Sequence, residues 1–519
     1  MKLNVGLITF SPMWEQLLVQ EGVPFSYVDC READTCSVLI VNRRLDHEER
    51  TLVEAYLASG GAALGYAGHL NGVCGTAHRQ ERLDYLVGER NGALHEIFLL
   101  DLAIVGEVPH EANCIRTHTH HFAAFAGKLG GGHAVILPFD PARMMCDARV
   151  VNKSFYSSRE RLPSERVSLV SKGELRHLLH EALRLLHHSR NLPYVHAWYF
   201  PNGMKNCSTF RVDTDKGTRQ EVDALCHAAV DHNVRMTWFV DVKSHEAWLQ
   251  HFAFLSGQDI GVHCYEHRTY ETFDDNYANI AKAKRKLEQE GISVRGFAAP
   301  FGAWNPELAK AVGKLGFDFS SEFAYVYDSL PLYPSDGEQT FPTLQIPVHP
   351  VCIGSLRRVG YTQEHMQEYF RRVIEEKLAR DEPLFFYHHP THHSWDVVRF
   401  IFHYLETRGV ESLTMLDFAR WWTTRMKYRP TVTYEGGHVR VESNAPADDA
   451  VWLRVIHPDG REAYVRPAAA IDLNALRWNP PREVPPAPSD IRRIREFDPR
   501  GLLGELFTTL SRRFKEGIR

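Results

Sequence analysis

Cysteine is sparse and unorganised in this 519-residue chain: nine residues, at 30, 36, 74, 114, 146, 207, 226, 264 and 352, with no Cys-x-x-Cys spacing. The odd count and scatter exclude the disulfide framework of small secreted domains and fit a reducing compartment. Long hydrophobic runs are missing too; no window approaches the roughly 20 apolar residues that span a bilayer. The opening MKLNVGLITFSPMWEQ reads as a strand broken by Ser and Pro, without a small-residue cleavage pattern, so a cytoplasmic protein is expected. Neither sign of charge dominates: 60 Lys and Arg stand against 65 Asp and Glu, a net charge of −5. No basic stripe marks a nucleic-acid binder and no like-charge block marks an acidic tail. What is present, 44% hydrophobic and 24% charged residues, is ordinary globular composition over a length of roughly three domains.

Residues 1–192 alternate short apolar runs (LNVGLITF, SVLIVN, GAALGYA, HAVILPF) with amphipathic stretches such as LDHEERTLVEAYLASGG. That alternation predicts an α/β domain with helices covering a parallel sheet. Its rhythm resembles the flavodoxin-like, glutamine-amidotransferase-like domains. Cys74, in NGVCGTA, echoes a nucleophile turn, but no apolar strand leads into it, and a buried or loop thiol is the favoured reading. RTHTHHF (116–122) reads as a polar loop or edge strand rather than a metal site. At the other end, residues 429–478 alternate polar and apolar positions between Gly and Asp-Gly turns, which predicts a small β-sandwich-like module. Residues 479–519 comprise a Pro-rich linker and an amphipathic terminal helix with Arg512, Arg513 and Lys515 at its end. That helix is expected to dock on the protein itself or on a second subunit, with contact to the inner face of a membrane as the alternative.

The chemistry concentrates in residues 193–428. FRVDTDKG (210–217) ends an apolar run with Asp213 and Asp215. GVHCYEHRTYETF follows with His263 and His267 four apart, just past the strand-like DIGV. Two imidazoles and one carboxylate suit a divalent cation, zinc first and cobalt or nickel as alternatives, while leaving a coordination position open. Among 29 histidines such a pair is a common accident; its pairing with Asp-x-Asp at an upstream strand end is the rarer event. The segment also spells H-x-x-E-H, a metalloprotease signature, but that needs a helix and the flanking residues read as a strand. VRGFAAPFGAWN (294–305) supplies a Pro-Phe-Gly loop, and EPLFFYHHP (382–390) ends a strand in His388 and His389. Strand ends separated by helices gather at one face of a (β/α) barrel, so the paired acids stand on the rim of a shared pocket.

Asp-x-Asp, His-x-x-x-His, a Pro-aromatic-Gly loop and a late strand ending in His, in this order, resemble polysaccharide deacetylases of the NodB-homology type. The resemblance implies an incomplete (β/α) barrel over 193–428 and metal-dependent removal of an acetyl group from an N-acetylated sugar or saccharide precursor, with water on the metal as nucleophile. It implies Asp215, His263 and His267 as metal ligands, Asp213 as general base, and His389, or its neighbour His388, as general acid. The backbone N–H of Phe301 is expected to help hold the oxyanion, and Trp304, Tyr265 and Trp395 are candidates for a stacking floor under a sugar ring. The partner implied is a saccharide or glycolipid substrate; a homo-oligomer is open, and nucleic acid is not expected. One departure stands out. The third motif of the family carries an Arg that orients the base, and here Ala298 occupies that place; Arg295 lies three residues earlier, and Asp318 is a faint echo of a further motif. The competing readings are a glycan-binding scaffold with a degenerate barrel and a C–N hydrolase acting on a non-sugar amide.

Overall fold

In the computed structural model, described here for residues 1–443 and 450–496, the central element is a sheet of parallel strands. From edge to edge it runs Leu344–Gln345, Phe319–Ser320, Gly296–Phe297, Asp259–Val262, Met236–Val240, Cys207–Asp213 and Leu384–His388, with the short Glu411–Ser412 also pairing with Cys207–Asp213. The outermost strands do not pair, so the barrel is incomplete. The gap is bridged by a single backbone bond in which His349 N–H donates to the Phe385 carbonyl at 2.8 Å.

The sequence explains this arrangement locally. CSTFRVD, MTWFV and LFFYH are buried at every position, as parallel strands covered on both faces require. Helices Arg219–Asp231, Phe273–Gln289, Pro306–Lys314, Gln363–Ala379 and Trp395–Thr407 return the chain between or after strands. Four of them begin at a side-chain cap (Thr218, Thr272, Asn305, Thr362), and Thr218 forms a full capping box with Glu221. Their apolar faces pack on the sheet in one cluster that includes Val222, Trp238, Ile280, Leu308, Phe370 and Phe402.

Ahead of the barrel, the expected runs form strands Val5–Leu7, Val38–Val41, Ala62–Tyr66 and Gly132–Leu137, paired in parallel. The helix His47–Ala58 is capped by Asp46. Beyond Gly132–Leu137 the sheet turns antiparallel through Phe122–Leu129 and the long hairpin His78–Val87 with Leu100–Pro109. RTHTHHF spans the end of strand Cys114–Thr117 and the turn into Phe122–Leu129. Cys74 sits in a short turn with φ 49°, and burial, with Glu54 second, raises its thiol above the ordinary range, the opposite of what a nucleophile requires.

The C-terminal module consists of two three-stranded sheets over one apolar cluster. One holds Pro430–Glu435, His438–Ser443 and Ala470–Asp472. The other pairs Leu453–Ile456 with Glu462–Val465 and with Tyr194–Ala197, a strand drawn from ahead of the barrel. The linker then returns to the N-terminal domain, where Arg495 meets Asp101 at 2.6 and 2.7 Å. The terminal helix expected after residue 498 lies outside the described residues. Among the described residues, no helix is long and apolar enough to cross a membrane.

Candidate active site

The ends of the barrel strands bring the sequence motifs together. Asp213 closes Cys207–Asp213, and Asp215 follows in the left-handed region at φ 44°. Cys264, Phe301, His393 and Ser394 also adopt positive φ, between 50° and 67°, just after other strands of the same sheet. Left-handed backbone at non-glycine residues costs on the order of 1 kcal/mol each and gathers where a chain is forced to aim side chains. Here it turns the loops inward over the rim.

Asp215 Oδ1 lies 3.1 Å from His267 Nε2 and 3.5 Å from His263 Nε2. That oxygen is buried and has no hydrogen-bond partner, so the two imidazoles are close without being aligned to donate to it. His263 is fixed from behind: its Nδ1 is 2.7 Å from the Ala298 carbonyl, an acceptor, so Nδ1 carries the proton and Nε2 offers its lone pair. A four-coordinate zinc with bonds of about 2.0–2.1 Å sets its ligand atoms roughly 3.3 Å apart, which the two measured separations bracket. These residues fit a divalent cation. Burial opposes the charge on Asp215, but the pull of the nearby His263, His267 and His389 imidazoles outweighs it and holds the carboxyl far below the ordinary carboxylate range.

Asp213 is held differently. It is 3% exposed, and Arg211, 0% exposed, grips it in a bidentate pair with Nε–Oδ1 and Nη2–Oδ2 both at 2.7 Å. The remaining Arg211 nitrogen donates to the Ser321 carbonyl at 2.6 Å and to its hydroxyl at 3.1 Å. Burial pushes the Asp213 carboxyl up; Arg211 and His263 more than offset it, so Asp213 is held below its ordinary range as a carboxylate. The guanidinium missing at Ala298 is thus supplied from within the first strand. Residues 211 and 213 share a face because strand side chains alternate, and FRVD carried that signal. Arg295 does not take the part. It is paired with Asp318 at 2.5 and 2.9 Å on the outer surface, so these two residues partner each other away from the rim.

The adjacent histidines point opposite ways, as neighbours on a strand must. His389 brings Nε2 to 3.7 Å from Asp215 Oδ2 and 3.9 Å from Asp213 Oδ2. His388 is 0% exposed and turns to the other side, with Nε2 at 3.2 Å from the His393 carbonyl and its ring near Trp395. Burial drives the His388 pKa well below the ordinary value, which leaves it a neutral ring.

The aromatic residues separate as well. Phe301 is 66% exposed and sets its ring edge against His267, with centroids 5.1 Å apart. Trp304 is half-buried and packs on Tyr325 at 4.5 Å and Phe341 at 5.8 Å, where the barrel meets the N-terminal core. The structure therefore places it in packing rather than as an open floor. Tyr265 carries the Lys282 ammonium 3.5 Å above its ring, and its hydroxyl donates to Glu246. Glu266 of the H-x-x-E-H string points outward to Lys243 and Arg268, and the string lies in the loop after a strand, not on a helix.

Residues 206–320 match the family model described as polysaccharide deacetylase. Among solved structures, the chain is similar to a protein named as a polysaccharide deacetylase from Mycobacterium smegmatis, at 18% identity over 44% of this chain and 95% of that one, with a TM-score of 0.37. It is similar to a CE4 family pseudoenzyme from Bacillus anthracis at 15% identity, over 41% of this chain and 65% of that one, TM-score 0.31. It is also similar to a family 4 carbohydrate esterase from Streptomyces lividans at 14% identity, over 40% and 91%, TM-score 0.29. A search of curated proteins gave no match.

Proposed function

Because residues 206–320 form a polysaccharide deacetylase domain, we propose that the protein is a metal-dependent hydrolase that removes an acetyl group from an N-acetylated saccharide. The observation that carries this reading is the convergence of an orphaned Asp215 oxygen, two imidazole nitrogens, a separately clamped Asp213 and His389 at the ends of neighbouring strands. Asp215, His263 and His267 hold the cation. When bound, a divalent cation polarises an acyl carbonyl and acidifies a water molecule, the chemistry that amide hydrolysis requires.

The chain's own residues do the rest. Asp213, ionised and pinned by Arg211, accepts the proton of the attacking water. The clamp fixes the carboxylate's position and keeps it charged inside a buried site, where it would otherwise take up a proton. His389 faces the same space from the opposite strand edge and, as imidazolium, donates a proton from Nε2 to the departing amine. His388 takes no part, since its ring faces away. Phe301 presents an apolar edge beside His267, suited to the carbon face of a sugar or to the acetyl methyl.

The test is metal content together with acetate release. Purified wild type should carry one tightly held divalent ion and liberate acetate from N-acetylated oligosaccharides, and Asp215→Ala should lose both. Wild type without stoichiometric metal at this site would overturn the hydrolase reading and leave a glycan-binding scaffold in its place.

A further inference from the structure

Beside His389 lies a second group of metal-ligating side chains. Cys352 Sγ and one ring nitrogen each of His389 and His392 all fall within 4.8 Å of one another. Cys352 is buried, and its Sγ is 3.9 Å from His392 Nδ1. The rings of His389 and His392 stand 4.4 Å apart. His389 turns Nε2 toward Asp213 and Asp215, while its other ring nitrogen, Nδ1, is buried and has no hydrogen-bond partner.

His392 is held by shape. A Cβ at Gly354 would stand 2.2 Å from its Cε1, so only glycine lets the ring lie over that backbone, and the Arg357 guanidinium fixes the His392 carbonyl at 2.5 Å. The first turn of helix Ile353–Arg358, which begins at Cys352, and the turn Pro390–His392 that follows His389 thus press a thiol and two imidazoles into one space. A tetrahedral zinc with a sulfur ligand at about 2.3 Å and a nitrogen ligand at about 2.0–2.1 Å separates those two atoms by roughly 3.5 Å, close to the measured 3.9 Å. No carboxylate belongs to the group, and one thiolate with two imidazoles is a donor set that selects soft or borderline cations over magnesium or calcium. The buried trio Glu21, His180 and His196 makes an instructive contrast: one Glu21 oxygen already takes hydrogen bonds from Tyr194, Tyr199 and His180, and Arg176 occupies its other side.

We propose that Cys352, His389 and His392 form a second, sulfur-containing site for a soft divalent cation such as zinc, adjoining the Asp215–His263–His267 site and sharing none of its ligands. Binding exchanges the Cys352 S–H for an S–metal bond and releases that proton to solvent. The site itself stands on geometry alone; its effect on turnover rests on the hydrolase reading above. A cation on His389 Nδ1 ties up the ring whose other nitrogen faces Asp213 and Asp215 and sets a second positive charge beside the Asp215–His263–His267 site. The second equivalent of zinc should therefore lower turnover.

Cobalt substitution tests this with a signal independent of activity, because a thiolate–Co(II) bond gives an intense near-ultraviolet charge-transfer band that an Asp-His-His site cannot produce. Wild type titrated with Co(II) should take up two equivalents and develop that band with one of them. Asp215→Ala should keep the band while losing the other equivalent. Cys352→Ser should lose the band and retain one equivalent. Absence of the band in wild type, or its persistence in Cys352→Ser, would overturn the second site. Loss of only the band-free equivalent would count against the first site alone. In the activity arm, excess zinc should depress wild-type acetate release by roughly tenfold or more and Cys352→Ser by far less; equal inhibition of both would remove the regulatory role.

Discussion

Arg211 grips Asp213 from two residues back along the same strand, through two hydrogen bonds of 2.7 Å, at a place where neither side chain meets solvent. Removing one partner of such a buried pair leaves an uncompensated charge, a loss of about 3–5 kcal/mol. Arg211→Met should lower stability by an amount in that range. In whatever folds, burial would then push the Asp213 carboxyl up, so the acidic limb of the pH–activity profile should move to higher pH. Urea unfolding together with kcat measured between pH 5 and 9 checks both; an unmoved acidic limb would take Asp213 out of the role of base.

The two aspartates of the opening motif should separate cleanly by mutation. Asp213→Asn keeps the ligand trio and should retain the metal while losing about 10²–10⁴ in turnover, the range of a positioned proton acceptor. Asp215→Ala should lose metal and turnover together. Metal content by mass spectrometry, read beside acetate release, distinguishes them.

His388 and His389 offer the sharpest test of orientation. His389→Gln should lower kcat by about 10²–10⁴ with little change in thermal midpoint. His388→Gln should do the reverse, costing stability through its buried, fully enclosed site and sparing most of kcat. The opposite pattern would assign the acid to the wrong neighbour.

Far from the rim, Asp259 begins a barrel strand and accepts from the Thr237 hydroxyl at 3.2 Å. Burial pushes its carboxyl up to about 7 from 3.8. Between those values the folded chain binds more protons than the unfolded one, so this group's contribution to stability is complete below the lower value and is lost as pH rises through the upper. Asp259→Asn should therefore stabilise the protein at pH 8 by on the order of 2 kcal/mol and much less at pH 5. Urea midpoints at the two pH values measure it.

The barrel was legible in the sequence because its signals are local. Apolar runs of four to seven residues, capping threonines and the Asn-Pro entry to helix Pro306–Lys314 each specify their own element. The meeting of Asp215, His263 and His267 was legible because motif order substitutes for distance. Arg211 belongs to no motif of its own, and only its two-residue offset from Asp213, which puts both on one face, signals the pair. Cys352 and His392 were out of reach: 40 residues apart, they meet only because the start of helix Ile353–Arg358 lies against the turn Pro390–His392. Trp304 illustrates the converse. An aromatic residue beside a motif reads as a ligand contact, but the neighbours that cover it, Tyr325 and Phe341, come from a loop whose path no local pattern reveals.

The strand Tyr194–Ala197 hydrogen-bonds to Leu453–Ile456 before the chain enters the barrel. Entry and exit are thereby zipped together, and the hydrolytic domain is a loop tied at its neck. Excising it at its sequence borders would cut one thread of that tie and bare the edge of an apolar strand, an invitation to aggregate. Any attempt to transplant or minimise this catalyst has to carry the closing module along with it.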